Sequence, residues 1–192
     1  MKAKHFILGA LLVAAPALAK DPVDKSTQAV KLPRADVDML KKLHQANREE
    51  IELGQVAQQV SMRDDVKAFG KMMVDDHKMA DEKITKMADE HGVPLGDDAD
   101  AMRLADKFRK KDAVKEFDKD YLTRMVKDHD KVINMIGTKS DDLKAELQAS
   151  LNGMLPTLRK HRTEAKRLLD DVKAAKTASS GSRQGRSDRI RR

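Results

Sequence analysis

Apolar residues recur every three or four positions along most of the chain, and each such run marks one face of an amphipathic helix. In segment 64–91 the seam reads Val66, Phe69 or Gly70, Met73, His77, Ala80, Ile84, Met87. In segment 113–137 it reads Val114, Phe117, Tyr121, Met125, His129, Val132, Ile136. In segment 142–175 it reads Leu147, Leu151, Met154, Leu158, His161, Ala165, Leu168, Val172. An earlier segment, about 36–60, carries Leu40, Leu43, Asn47, Glu50, Gly54 and Ala57 on one face. No stretch alternates apolar and polar residues between turn signals, so the pattern predicts an all-α protein. Four long helices, with short turns joining the first pair and the last pair, predict a four-helix bundle.

The breaks between these runs refine the picture. Ser61 to Arg63 make a turn, Asp64 or Asp65 can cap the second helix, and His91-Gly92 closes it. Val93-Pro94-Leu95-Gly96 then interrupts the chain. The connection to the third long helix spans about 20 residues and holds a short extra helix near 98–110. A connection of that length can carry the chain back along the bundle, so that the second and third long helices run parallel, as in ferritin-like folds. Asp112 and Ser140 to Asp142 supply caps for the last two long helices, and Pro156 inside the fourth predicts a kink. A partial internal repeat relates Phe69-x3-Met73-Val74-x-Asp76-His77 to Tyr121-x3-Met125-Val126-x-Asp128-His129.

Composition changes the reading at the two ends. Lys2 and Lys4, the apolar run Phe6 to Ala15 and the Ala17-Leu18-Ala19 site predict a secretory signal peptide over 1–19, cleaved after Ala19. The apolar run is about half the ~20 residues a membrane-spanning helix needs, and no other stretch is a candidate span. Residues 20–35, with Pro22, Ser26, Thr27 and Pro33, read as a linker, 36–176 as the bundle domain, and 177–192 as a disordered basic tail. The formal charge of +7 is unevenly placed. Residues 173–192 carry Lys173, Lys176, Arg183, Arg186, Arg189, Arg191 and Arg192 against Asp188, which leaves the body of the bundle near neutrality. The basic character therefore belongs to the tail, which can contact an anionic envelope surface or serve only to solubilise the chain. It lacks the aromatics that stack on nucleic-acid bases, and no specific nucleic-acid motif is present. The absence of cysteine excludes disulfides and thiolate metal sites.

The chemistry concentrates where histidines replace apolar residues on the seams. A buried imidazole needs partners for its nitrogens, so His77, His129 and His161 imply a polar site within the bundle. Glu50 faces the same interior, and at ~1.5 Å rise per residue it lies within a few ångströms of the level of His77. His161 fits less well, because its distance from the last turn leaves an offset of about 15 Å from His129. Two readings stand side by side. Glu50, His77, His129 and His161 can ligate a transition metal such as zinc, copper, nickel or iron. Alternatively they form a buried hydrogen-bonded network, with Glu50 accepting from histidine and Tyr121 joining in. Asp76 and Asp128 point about 100° away from the neighbouring histidines and read as surface charges. Asp81 and Glu164, each one turn from a seam histidine, are further carboxylates. The chain's 11 methionines, at helical spacing and with few aromatics, read as core filler rather than as copper(I) ligands.

Four motifs occur in order: Glu50-Ile51-Glu52-Leu53-Gly54; Val66-Lys67-Ala68-Phe69 with Met73-Val74-x-Asp76-His77; Phe117-Asp118-x2-Tyr121-Leu122-x2-Met125-Val126-x2-His129; and Leu155-Pro156-x-Leu158-Arg159-x-His161. Over roughly 36–170 the chain resembles a secreted bacterial, ferritin-like family of unknown function, often labelled an outer membrane protein. The resemblance implies an exported helical bundle and supplies no activity. The residues themselves argue against ferritin-type di-iron chemistry, which uses Glu-x-x-His, because Val74, Val126 and Leu158 stand three positions before the histidines. The functional expectation is an exported, periplasmic, non-enzymatic bundle serving envelope stress tolerance or metal handling. The alternatives are a metal-dependent oxidase or hydrolase, and a purely structural or interaction protein.

Overall fold

The computed structural model describes residues 32–110, 114–139 and 143–190, with side chains for 32–110, 116–138 and 143–178. The expected signal peptide, most of the linker and the caps at Asp112 and Ser140 to Asp142 lie outside the described residues. The chain forms five helices: α1 (Arg34–Val60), α2 (Asp64–Glu90), α3 (Ala99–Arg109), α4 (Val114–Lys139) and α5 (Ala145–Ile190). There is no strand among the described residues. No described helix is long and apolar enough to cross a membrane.

The seams are buried as their periodicity requires. Two apolar clusters result, and their membership fixes the direction of the four long helices. One contains Leu53 and Val56 late in α1, Val66 and Phe69 early in α2, Phe117 and Tyr121 early in α4, and Leu168 and Leu169 of α5. The other contains Met39 and Leu40 early in α1, Ile84 and Ala88 late in α2, Ile136 late in α4, and Leu147 and Leu151 early in α5. Helices α2 and α4 therefore run parallel to each other and antiparallel to α1 and α5.

The crossover that makes this possible is built from local signals. α2 ends in a left-handed glycine, Gly92 at φ 63°. The Val93 amide donates to the Ala88 carbonyl at 2.8 Å and the Gly92 amide to Asp89 at 3.1 Å, which satisfies two terminal carbonyls. The chain then returns along the outside of α1, where Arg48 donates to both carboxylate oxygens of Asp98 at 2.6 and 2.5 Å. Ala105 and Phe108 of α3 join the first apolar cluster. At the start of α2 the N-cap position is held by Arg63, while Asp64 and Asp65 lie in the first turn.

α5 continues through Pro156 and on past 176 to Ile190, where composition predicts an irregular tail. From Lys173 to Ala178 every side chain is exposed, so this stretch buries no apolar face.

Candidate metal centre

α1 and α2 approach each other closely through paired glycines. A Cβ built on Gly54 would lie 2.7 Å from the Gly70 carbonyl oxygen, and one on Gly70 would lie 2.8 Å from the Gly54 oxygen. Gly54 is one turn beyond Glu50, and Gly70 is two turns before His77. This contact brings the α1 seam within reach of the α2 histidine, and His77 Nδ1 lies 3.0 Å from Asn47 Oδ1.

His77, His129 and His161 converge between the two apolar clusters, at 6%, 1% and 1% exposure. Their ring centroids are 5.3 to 5.6 Å apart. One ring nitrogen of each lies within 4.8 Å of one from each of the others. The remaining nitrogens are tied outward. His77 Nδ1–H donates to Asn47, His129 Nδ1–H donates to the Met125 carbonyl at 2.9 Å, and His161 Nε2–H donates to the Asp76 carboxylate at 2.8 Å. A carbonyl or carboxylate only accepts, so each facing nitrogen carries the hydrogen. That leaves His77 Nε2, His129 Nε2 and His161 Nδ1 as lone-pair donors. His77 Nε2 has no hydrogen-bond partner among the described residues. His129 Nε2 and His161 Nδ1 face each other at 3.3 Å. Two lone pairs at that distance repel when both rings are neutral, and a shared proton or a bound cation reverses the sign.

Burial lowers the proton affinity of all three rings. His77 is held well below the usual histidine range by desolvation, and then by the two neighbouring rings. His129 is pushed down to about 4, again chiefly by desolvation. Desolvation also lowers His161, opposed by its hydrogen bond to Asp76. Near neutral pH the rings are therefore unprotonated and available as ligands.

Glu50 is buried beside this group but outside it. Its Oε1 is 3.6 Å from His129 Nδ1, the nitrogen already donating to Met125, and its Oε2 has no partner among the described residues. Burial, followed by the charge of Asp128, raises its pKa well above the carboxylate range. Burial disfavours the charged form of both Glu50 and His129, which weighs against an ion pair here. The Tyr121 hydroxyl does not bond to Glu50. It has no partner among the described residues, and burial raises its pKa well above normal.

The expected 15 Å mismatch of His161 does not occur. α4 runs two residues past 137 and α5 begins three residues after 142, which removes about 7 Å of helical offset. Asp76 is not a free surface charge: it holds the outer nitrogen of His161. Its position 100° round from His77 turns it toward α5, which a reading of α2 alone does not reveal. Asp81 pairs instead with His44 at 2.8 Å, and Glu164 with Arg167 at the surface.

A cleft of about 910 Å³ reaches the three histidines from outside. Residues of α1, α2, α4 and α5 line it, including Glu50, Asp76 and all three rings. Three convergent, buried imidazoles held by outward hydrogen bonds have the arrangement of a histidine metal centre within an all-helical protein. Residues 21–168 match the domain of unknown function DUF4142, and the chain belongs to that family. No curated protein and no solved structure matches it significantly.

Proposed function

We propose that this protein is an exported, ferritin-like bundle of the cell envelope that binds a transition-metal ion on His77, His129 and His161. The observation that carries the reading is the outward tethering of each ring. Asn47, Met125 and Asp76 fix which nitrogen of each histidine is protonated, as outer partners do in metal sites. The 3.3 Å separation of two donor nitrogens also suits a small ion. Two ligands on a tetrahedral ion with ~2.0–2.1 Å bonds stand about 3.3 Å apart. An all-imidazole set selects zinc, copper, nickel or iron over magnesium or calcium. Glu50 sits behind His129 as an outer carboxyl, within reach of the site but not among its nitrogens.

The ferritin-like assignment is supported by the parallel course of α2 and α4, while Val74, Val126 and Leu158 speak against di-iron chemistry. Export is supported by the signal-peptide pattern of 1–19, and metal handling under envelope stress follows from export together with the site. The basic segment 173–192 supports a salt-sensitive contact with anionic envelope surface.

The cleft favours a second reading, metal-dependent hydrolysis or oxidation, because the three rings form part of its wall. Metal-loaded protein that turns over no better than its His129→Ala variant counts against that reading.

The test of the first is metal analysis of the purified chain from Lys20 onward, with calorimetric titration at high salt to suppress binding by the tail. Stoichiometric binding of one ion, lost in a His77→Ala, His129→Ala double variant, is expected. Absence of binding at micromolar metal overturns it and leaves the histidines as a hydrogen-bonded core.

A further inference from the structure

The cleft has two kinds of wall. The half-buried Val132, Met154 and Leu158 form an apolar side, backed by Leu43 and Ile136 of the second apolar cluster. Lys83, Lys86 and Lys160 line it as exposed residues, together with the exposed acid Glu82 and the half-buried Asp76 and Asp128. His77 Nε2, which has no partner among the described residues, belongs to a ring more than nine-tenths buried that lines the same space. Gly153 of α5 also lines it, and a Cβ there would meet nothing within 4 Å. Pockets of this size accept small molecules, and mixed walls of this kind orient them.

We infer that the cleft binds a monocarboxylate with an apolar body, its carboxylate on the open position of the metal and its body along Val132, Met154 and Leu158. The inference rests on the metal reading above. Three protein donors leave a tetrahedral ion one open position. A carboxylate offers that position an anionic oxygen, which compensates the charge of an ion in a buried site. The apolar wall then rewards a hydrocarbon body, each fully buried methylene contributing about a factor of four in affinity.

The experiment uses the chain from Lys20 onward loaded with cobalt(II), whose visible spectrum reports coordination. Cobalt alone is titrated first, then octanoate, with acetate as the same head group lacking the body. The expected result is a spectrum that octanoate shifts at least about tenfold more tightly than acetate. Gly153→Leu fills open space on a helix that tolerates leucine. It is expected to keep the cobalt spectrum and weaken octanoate at least about tenfold. A cobalt spectrum that octanoate does not move overturns the inference and leaves the metal centre standing. So does equal affinity for acetate and octanoate, or unchanged octanoate affinity in a Gly153→Leu protein that still binds cobalt. Failure to bind cobalt overturns the metal reading and this inference with it.

Discussion

At the scale of single residues, the site is defined by where protons sit. His129 donates to the Met125 carbonyl within its own helix, and its other nitrogen looks into the cluster. Asp76→Asn removes the pure acceptor that holds His161 Nε2–H. Metal affinity measured by calorimetry should fall about 10- to 100-fold while the fold persists. Proton affinity gives a second prediction, for the metal-free protein. His129 has a folded pKa of about 4 against an unfolded value near 6.5. The unfolded chain binds the extra proton between these values, so the stability contribution is complete above pH 6.5 and is lost as pH falls toward 4. Denaturant unfolding across that window should show a loss on the order of 3 kcal/mol from this residue. Glu50 titrates in the opposite sense. Its raised folded pKa favours folding at low pH and costs stability as pH rises above the unfolded value near 4.5. Glu50→Gln should therefore raise the melting temperature of the metal-free protein at pH 7 and leave it little changed at pH 4. An equal effect at both pH values would contradict a protonated Glu50. The histidines were legible in the sequence because they interrupt apolar seams at helical spacing. Asp76 and Asn47 were not legible as their partners, because hydrogen bonding across helices depends on which faces meet.

At the scale of elements, the α1–α2 contact carries the clearest prediction. Gly54→Ala places a methyl group 2.7 Å from a backbone oxygen that cannot move aside as a side chain could. Overpacking of this kind costs about 1–3 kcal/mol, read as a shift of the urea midpoint. Gly153→Ala, where the new methyl group meets nothing within 4 Å, should instead stabilise by about 0.5–1 kcal/mol through helix propensity. If both substitutions behave alike, the close crossing is not what Gly54 provides. Helix identity followed from periodicity, and the Gly92 stop of α2 was readable as a C-terminal glycine. The end of α4 and the start of α5 were less legible. Capping residues admit several boundaries, and five residues of boundary error shift a helix by more than a turn. That difference accounts for about half of the expected offset between His161 and His129.

At the scale of the whole molecule, the parallel course of α2 and α4 sets the site at mid-height, between two apolar clusters that each draw on α1, α2, α4 and α5. The return crossover is clamped to α1 by Arg48 and Asp98. Because that pair is partly exposed, Arg48→Ala should cost only about 1 kcal/mol and leave metal affinity unchanged. The long second connection made a parallel pair conceivable from sequence, but only the two clusters decide it. The cleft was not legible at all, since open space between helices follows from packing rather than from any motif. Family membership locates the domain and supplies no chemistry, so the claim stands on the three rings. X-ray absorption at the zinc edge of the zinc-loaded chain tests it most directly. The account predicts three imidazole nitrogens and one further light atom at ~2.0–2.1 Å. A first shell of six oxygens, or a shell unchanged in the His77→Ala, His129→Ala variant, would contradict it.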